Sequence, residues 1–316
     1  MTQTTDILEN PMRADGNIAV ELAERVSPAT VIRRDEPMAR HTTLRAGGPA
    51  DVYVEPASEA DLAAVVKFCG ARGVPFLVIG RGSNLLVRDG GFRGAVICLS
   101  HADFSKIEFD GDRLRCGAGV KLKNVAIEAR RHGLSGFEFL EGIPGSVGGA
   151  LRMNAGAMGD ATFDVVEFVR LMDFDGNVQE LAPEEMVVKY RGCDTLKNHI
   201  ALGAVLKGRP DSPESIAQRM SAFSQKRWSS QPAAPSAGCA FKNPPSIPAG
   251  RLIDELGLKG TRVGGAVVSQ EHGNFIVNDG DATARDVLEL IAILQAKAKA
   301  ARGIELRTEV EIIGEE

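Results

Sequence analysis

The segment around Cys239 combines residue types that could move a proton. Cys239 follows a glycine in Ser236–Pro244, a segment that also contains a lysine, an asparagine and two alanines. A free thiol, with a pKa of roughly 8.5, gives up its proton near neutral pH far more readily than a serine hydroxyl. An isolated cysteine is more often a small buried filler. Because a cation and an amide follow closely, we interpret Cys239 as a proton donor.

A first glycine-rich segment, residues 80–84, could hold phosphate groups. It directly follows the apolar run 76–79 and reads Gly-Arg-Gly-Ser-Asn. Successive backbone N–H groups, the side chains of Ser83 and Asn84, and the charge of Arg81 could together cradle a pyrophosphate. An ordinary tight turn after a strand is equally compatible with this segment alone. It is not a Rossmann fingerprint, because no G-x-G-x-x-G opens a helix here.

A second glycine-rich segment spans residues 142–159. Its glycines are Gly142, Gly145, Gly148, Gly149, Gly156 and Gly159. Side chains are excluded where a flat ligand or its phosphates lie against backbone. A flexible loop is the alternative, but Ile143, Pro144 and Val147 are too apolar for a solvated linker. Together, the two segments predict a large nucleotide cofactor.

Two charged residues, Arg191 and Glu309, give weaker signals. Arg191 follows Tyr190 and could be a surface cation. Alternation in residues 308–313 places Glu309 and Glu311 on one face of a strand, and the sequence alone favours a solvated surface position for both Arg191 and Glu309 over a functional one.

Polar residues before the cysteine segment leave two readings open. Lys226, Arg227 and Gln231 could bind phosphate or could merely end a helix. His41 and His272 are interpreted as structural histidines rather than metal ligands.

The elements that position these segments follow from periodicity and turn residues. A capping-box pattern at Ser58 and Asp61 begins a helix that stops at Gly73, and Asp-Gly pairs at 110–111 and 175–176 predict hairpins. Further helices are expected at about 18–26, 122–132, 214–228 and 283–303. Strands are expected at 51–55, 76–79, 95–99, 165–172, 178–181, 200–207 and 305–313.

Composition excludes several classes of protein. The chain has 316 residues, 44% hydrophobic and 25% charged, which excludes disordered and collagen-like classes. A net charge of -5 argues against binding of nucleic-acid backbone. No run of about 18 apolar residues and no signal-peptide pattern is present, so we expect a cytoplasmic protein without membrane segments. Five cysteines without paired spacing predict no zinc or other metal site.

The chain is expected to divide into three parts. Residues 1–40 are polar and weakly patterned, which predicts an N-terminal extension. Turn chemistry at 208–213 predicts a boundary between a domain at 41–208, with two lobes split near residue 105, and a C-terminal domain at 209–316.

From His41 to the end of the chain, these segments together resemble one family, the UDP-N-acetylenolpyruvoylglucosamine reductases (MurB). The segments are HTTLRAGGPA (41–50), GRGSNLLV (80–87), GIPGSVGGA (142–150), NAGA (154–157), YR (190–191), SAGCAFKNP (236–244), GGAVVS (264–269), HGNFI (272–276) and TEVEIIG (308–314). Each is a weak signal alone. The resemblance depends on their number, order and spacing.

The resemblance implies an α+β fold of the PCMH/vanillyl-alcohol-oxidase type. Two α/β lobes would bind FAD non-covalently, and a C-terminal α+β domain would bind substrate, with the last strand packing back near the active site. NADPH would reduce the flavin, which would pass hydride to the enolpyruvyl double bond of a UDP-N-acetylglucosamine ether, giving UDP-N-acetylmuramate for peptidoglycan synthesis. The shorter class, without an extra tyrosine loop, and a monomer are implied. Neither nucleic acid nor membrane is an expected partner.

The resemblance also assigns individual residues. Cys239 falls where the family commonly has a serine proton donor, and Arg191 and Glu309 match its other active-site residues. Cofactor contacts would come from Arg45, Gly80, Arg81, Gly82, Ser83, Asn84, Ile143, Gly145, Ser146, Gly148, Ala155 and Gly156. Substrate contacts would come from Tyr190, Lys226, Gln231, Lys242 and Asn243. Met158, Arg81 and Cys193 depart from the usual pattern, which affects details of the flavin site.

Two other hypotheses remain at this point. One is another flavin enzyme on the same scaffold, such as an oxidase; these often tether flavin through His or Cys, and neither glycine-rich segment contains a histidine. The other is a catalytically silent nucleotide-binding relative. Cys239, Arg191 and Glu309 occurring together argue against that second alternative.

Overall fold

The first sheet carries the first glycine-rich segment at one of its strand ends. The structure is a computed structural model that describes residues 18–316. In spatial order, the sheet consists of Val31–Pro37, Pro49–Glu55, Phe92–Cys98 and Phe76–Ile79. The first pair is antiparallel and the other pairs are parallel. Helix Glu59–Arg72 begins where Ser58 accepts a hydrogen bond from the Asp61 N–H and buries its predicted apolar face, which confirms that helix.

One strand of this sheet was not expected from the sequence. Val31–Pro37 lies within the predicted extension but pairs along its length with Pro49–Glu55. It is an edge strand in which Glu36 alone is buried, so it lacks the apolar alternation that identifies strands. Helix Ile18–Ala23 precedes it and contributes to the same core. The rest of the extension, residues 1–17, lies outside the described residues.

The second sheet is entirely antiparallel. In spatial order, it consists of Val178–Leu181, Val166–Asp173, His199–Lys207, Arg113–Gly117 and Ile107–Asp110. Both hairpins predicted from Asp-Gly pairs are confirmed. Helix Leu122–Arg131 is also confirmed, whereas helix Val147–Met153 was missed because its sequence is rich in glycine.

The C-terminal part packs a small sheet against two helices. Its antiparallel strands are Ser236–Cys239, Phe275–Asn278, Ala266–Val268 and Arg262–Val263, in that order. Helices Ala249–Glu255 and Ala284–Arg302 share its core, whereas helix Pro213–Trp228 packs on the second lobe, where Ile216 and Met220 are buried. The last helix is confirmed in detail: Thr283 and Asp286 form a capping box, and Gly303 ends it with φ 65°.

Short strands complete the described chain. They are Leu85–Val87, Leu134–Ser135, Gly156–Ala157, Asp160–Ala161, Val188–Lys189, Gly192–Cys193, Arg209–Pro210 and Glu311–Ile313. The last is shorter than predicted and pairs in parallel with Leu85–Val87, so the end of the chain returns to the first lobe. No helix within residues 18–316 is long and apolar enough to cross a membrane.

A carboxylate of the first lobe fixes the final helix. Asp89 accepts hydrogen bonds from the backbone N–H groups of Ala284 and Arg285, both at 2.9 Å. These donors belong to the first turn of the helix and have no partner within it. The helix is therefore held against the strand Leu85–Val87 and the terminal strand that pairs with it.

Candidate active site

A cavity of about 900 Å³ lies where the three parts of the molecule meet. Its walls include residues 76–85 of the first lobe, most of residues 142–157 of the second, and 237–239 together with Glu309 of the C-terminal part. Ligand pockets usually have volumes of about 300–1,000 Å³, so this cavity can hold a large ligand.

The first glycine-rich segment presents free backbone donors to this cavity. Among the described residues, the N–H groups of residues 81–84 have no hydrogen-bond acceptor. Gly82 has φ 59°, and a Cβ there would lie 2.1 Å from the His41 carbonyl oxygen. Thr43 holds the segment by donating its N–H to the Gly82 carbonyl at 3.2 Å. Consecutive free donors after a strand can hold a pyrophosphate.

The second glycine-rich segment packs directly against the first. A Cβ at Gly80 would lie 2.5 Å from Ser146 Oγ, and one at Gly148 would lie 3.0 Å from the Ala118 Cβ. These glycines therefore make room for neighbouring protein atoms, not for a ligand as the sequence suggested. Gly149 is different, because a Cβ there would meet only Ser146 Oγ, at 3.7 Å, and the residue lines the cavity. Gly149 thus keeps the cavity wall flat.

Cys239 lies at the end of a strand and is fixed by a buried asparagine. Gly238 has φ 76°, and Cys239 pairs with Phe275 across the C-terminal sheet. Asn274 is buried, accepts from the Phe241 N–H at 2.9 Å and donates to the Phe241 carbonyl at 2.7 Å. The sequence analysis gave Asn274 no role, since only the paired backbone shows that it holds the cysteine segment.

The Cys239 thiol keeps its proton at neutral pH. Burial raises its pKa to about 12, the charge of Glu309 acts in the same direction, and Arg191 opposes both. The sequence argument assumed the ordinary thiol pKa, which is corrected here because the surroundings are largely apolar. A protonated thiol facing the cavity can donate a proton to a strong base such as a carbanion.

Arg191 and Glu309 form an ion pair in the same cavity. Arg191 Nε lies 2.9 Å from Glu309 Oε1, and the side chains are 24% and 14% exposed. The N–H is not aligned on this oxygen, so the buried Nε has no hydrogen-bond partner among the described residues. Burial raises the pKa of Glu309, against the opposing effects of Arg191 and Lys242. Neither residue is a solvated surface charge.

Backbone bonds from two distant segments place Glu309. Its N–H donates to the Ala240 carbonyl at 2.8 Å, directly after Cys239. Its carbonyl accepts from the Asn84 side chain at 3.1 Å, at the end of the first glycine-rich segment. The Arg191 guanidinium packs against the second glycine-rich segment, where a Cβ at Gly156 would lie 3.3 Å from Arg191 Nη1.

All residues predicted to contact the cofactor line the cavity except Arg45. Arg45 is exposed and has φ 58°, on the turn after His41. Its assigned contact stays a prediction.

Of the residues predicted to contact substrate, Gln231 alone lines the cavity. Tyr190 is 63% exposed, and Lys226 and Lys242 are also exposed. Lys242 is nevertheless close enough to lower the pKa of Glu309. Asn243 is exposed and accepts from the Ala249 N–H at 3.0 Å, where a helix begins.

One arginine of the cavity wall, Arg152, was given no role by the sequence analysis. Arg152 lies on helix Val147–Met153 and forms an ion pair with Glu311 at 3.0 Å. Once that helix is recognised, its phase identifies Arg152 as a residue that can reach the cavity. Within residues 18–316, no group of three or more His, Cys, Asp or Glu side chains could hold a metal ion.

Two family models match the chain. One, described as an FAD binding domain, matches residues 50–182. The other, described as the C-terminal domain of UDP-N-acetylenolpyruvoylglucosamine reductase, matches residues 231–313.

This chain is also similar over most of its length to whole proteins of the same description. The UDP-N-acetylenolpyruvoylglucosamine reductase of Syntrophomonas wolfei is 44% identical over 92% of this chain and 97% of its own length. That of Geobacter metallireducens is 46% identical over 90% of this chain and 95% of its own. The crystal structure of the Thermus caldophilus enzyme superposes with a TM-score of 0.79 at 41% identity, covering 90% of this chain and 99% of that one. The expected fold class is confirmed.

Proposed function

This chain belongs to the UDP-N-acetylenolpyruvoylglucosamine reductase family, and we propose that it reduces the enolpyruvyl double bond of its UDP-sugar substrate with Cys239 as the proton donor. It is an FAD-dependent oxidoreductase of peptidoglycan precursor synthesis. One observation supports the assigned roles above all others. Cys239, Arg191 and Glu309 come from distant parts of the sequence and line one cavity.

The cavity fits FAD. The free N–H groups of residues 81–84 would hold the pyrophosphate, and the flat wall at Gly149 would accommodate the remainder of the cofactor. Bound FAD would supply the redox chemistry, accepting hydride from NADPH and delivering it to C3 of the enolpyruvyl group. The shorter class and the choice of NADPH stay proposals.

Arg191 would stabilise the negative charge that the reaction creates. Hydride addition at C3 pushes electron density onto C2 and its carboxylate, and a fixed guanidinium can stabilise that charge as it develops. The ion pair with Glu309 would hold this guanidinium in place.

Cys239 would then transfer its proton from Sγ to C2. The thiolate left behind is disfavoured by burial and by Glu309, so it would readily take a proton from water before the next turnover. Gln231 would contact substrate in the cavity, and Tyr190, Lys226, Lys242 and Asn243 remain proposed contacts at the surface.

We also propose the organisation and setting expected from the sequence. The FAD-binding domain would span 41–208 and the substrate domain 209–316. A cytoplasmic location is supported by five cysteines that are all free thiols. The expected monomer also stays a proposal.

An anaerobic titration tests the proposed function. We expect the purified protein to be yellow, NADPH to bleach its flavin absorbance, and UDP-N-acetylenolpyruvoylglucosamine to restore it with formation of UDP-N-acetylmuramate. Absorbance spectra and product chromatography measure both steps. A colourless protein that takes up no FAD, or a reduced protein that the sugar nucleotide leaves bleached, would contradict the proposal.

Gly149→Leu tests the cofactor site separately from catalysis. Leucine favours a helix more than glycine does, so the fold should persist, whereas its side chain would project into the cavity. We expect FAD affinity to fall by at least about tenfold in a fluorescence titration. Gly70→Leu is the matched control, because Gly70 lies on an exposed part of a helix with no atom within 4 Å of its Cβ position. Equal FAD affinity in both variants would exclude this wall as the cofactor surface.

A further inference from the structure

A second ion pair lies in the cavity beside the proposed catalytic residues. Arg152 Nη2 lies 3.0 Å from Glu311 Oε1, and Arg152 Nη1 donates to the Leu196 carbonyl at 3.0 Å. The two side chains are 36% and 40% exposed, and both residues line the cavity. The proposed mechanism gives neither residue a role.

This pair connects the two parts of the molecule that must bring Arg191 and Glu309 together. Both arginines belong to the second lobe. Arg191 directly precedes the strand Gly192–Cys193, and Arg152 lies on helix Val147–Met153. Glu311 follows Glu309 by two residues, with a buried valine between them, so both carboxylates face the cavity. The two ion pairs therefore bridge the same gap in parallel.

The backbone of this segment is attached elsewhere. Glu309 N–H donates to the Ala240 carbonyl, and Glu311 N–H donates to the Asn84 carbonyl at 2.9 Å. These bonds fix the segment to the C-terminal part and to the first lobe. The distance between the segment 309–311 and the second lobe is set by side-chain contacts. This distance determines the geometry of the ion pair between Glu309 and Arg191.

We propose that Arg152 is a positioning residue: through Glu311, it sets the distance of Glu309 from Arg191 and so orients the guanidinium at the reacting carbon. The inference rests on the proposed function. An isolated ion pair of this exposure contributes little to stability, commonly about 0–1 kcal/mol. Its influence on geometry can be larger, because a misplacement of about 1 Å at a reacting centre can cost roughly 10²-fold in rate.

The test measures the two half-reactions separately in Arg152→Met, Glu311→Gln and the double variant. We expect each single substitution to slow carbon reduction about tenfold at saturating sugar nucleotide, with NADPH-driven flavin reduction unchanged. Because the two residues act as one unit, the double variant should be no slower than the slower single variant. Arg152→Lys, which keeps the charge, should recover most of the rate.

A matched control separates positioning from stability. Arg170 and Glu59 form an ion pair of similar exposure, 36% and 39%, which joins helix Glu59–Arg72 to strand Val166–Asp173 and does not line the cavity. Arg170→Met should lower the thermal midpoint as much as Arg152→Met does, yet leave both half-reactions unchanged.

The outcomes distinguish this inference from the proposed function. A wild-type protein that the sugar nucleotide does not reoxidise overturns the proposed function and, with it, the inference. If the wild type is reoxidised, an unaffected Arg152→Met overturns the positioning role alone. A rise in KM without a change in the saturating rate also overturns it, since that result indicates a simple substrate contact.

Discussion

Replacing Cys239 by alanine is expected to slow carbon reduction by about 10²–10⁴-fold while NADPH continues to reduce the flavin at its normal rate. Alanine removes a thiol on which the charges of both Arg191 and Glu309 act, and it leaves the backbone bonds of the segment in place. Stopped-flow absorbance follows each half-reaction in a single turnover. Cys239→Ser should retain substantial turnover, because a hydroxyl can also donate a proton.

A second cysteine provides the control for this prediction. Cys98 also lines the cavity, where its Sγ lies 3.7 Å from the Gly80 carbonyl oxygen. Cys98→Ala should leave carbon reduction nearly unchanged. If Cys239→Ala slows both half-reactions equally, the cysteine supports the flavin site and is not the proton donor.

The raised pKa of Cys239 gives this prediction a pH dependence. Since burial raises the pKa of the thiol to about 12, the proton remains on sulfur well above the ordinary thiol value of roughly 8.5. The single-turnover rate of carbon reduction should therefore show no alkaline decline near pH 8.5. A decline there, absent from Cys239→Ser, would mean that the thiol titrates as an exposed one.

The best-predicted elements are those whose signals are local. Helix Ala284–Arg302 was identified from its capping box, its apolar stripe and its terminal glycine, all of which act within the helix or one turn of it. The two Asp-Gly hairpins were identified for the same reason, because the turn residues determine the backbone conformation directly.

Elements stabilised by distant contacts were missed. Helix Val147–Met153 is rich in glycine, and its first N–H groups donate to the carbonyls of Val120 and Ala118. Strand Val31–Pro37 is stabilised by pairing with Pro49–Glu55, although its own sequence lacks alternation. Neither stabilising interaction can be read from the segment itself.

In the site, too, the local sequence predicts which face a residue occupies, whereas distant contacts determine whether that face lies in the cavity. Alternation correctly placed Glu309 and Glu311 on one face, but only the parallel pairing of Glu311–Ile313 with Leu85–Val87 turns that face toward the cavity. Similarly, the phase of helix Pro213–Trp228 exposes Lys226, while its neighbour Arg227 is partly buried and lies beside Gly142. The substrate contact that the resemblance assigned to Lys226 stays a prediction.

Replacing Arg191 by methionine is expected to slow carbon reduction by about 10²–10³-fold, because a fixed donor to developing negative charge is lost. Flavin reduction by NADPH should be little affected, since that step places no charge on the sugar substrate. Residue 191 has a left-handed backbone conformation, with φ 56°. Arginine, methionine and lysine are all non-glycine residues with a Cβ, so neither substitution adds backbone strain at this position. Rapid mixing of reduced enzyme with the sugar nucleotide measures the rate.

Arg191→Lys distinguishes the shape of the cation from its charge. Lysine keeps a positive charge but lacks the planar guanidinium, which can face Glu309 and the substrate together, so an intermediate rate is expected. Lys197→Met removes another cation of the cavity wall, one paired with Asp194, and should have little effect. If the Lys197→Met and Arg191→Met variants reduce the carbon equally slowly, carbon reduction depends on the total positive charge of the cavity and not on Arg191 in particular. If Arg191→Met alone is slow and Arg191→Lys is almost as slow, catalysis depends on a guanidinium held beside the carboxylate of Glu309.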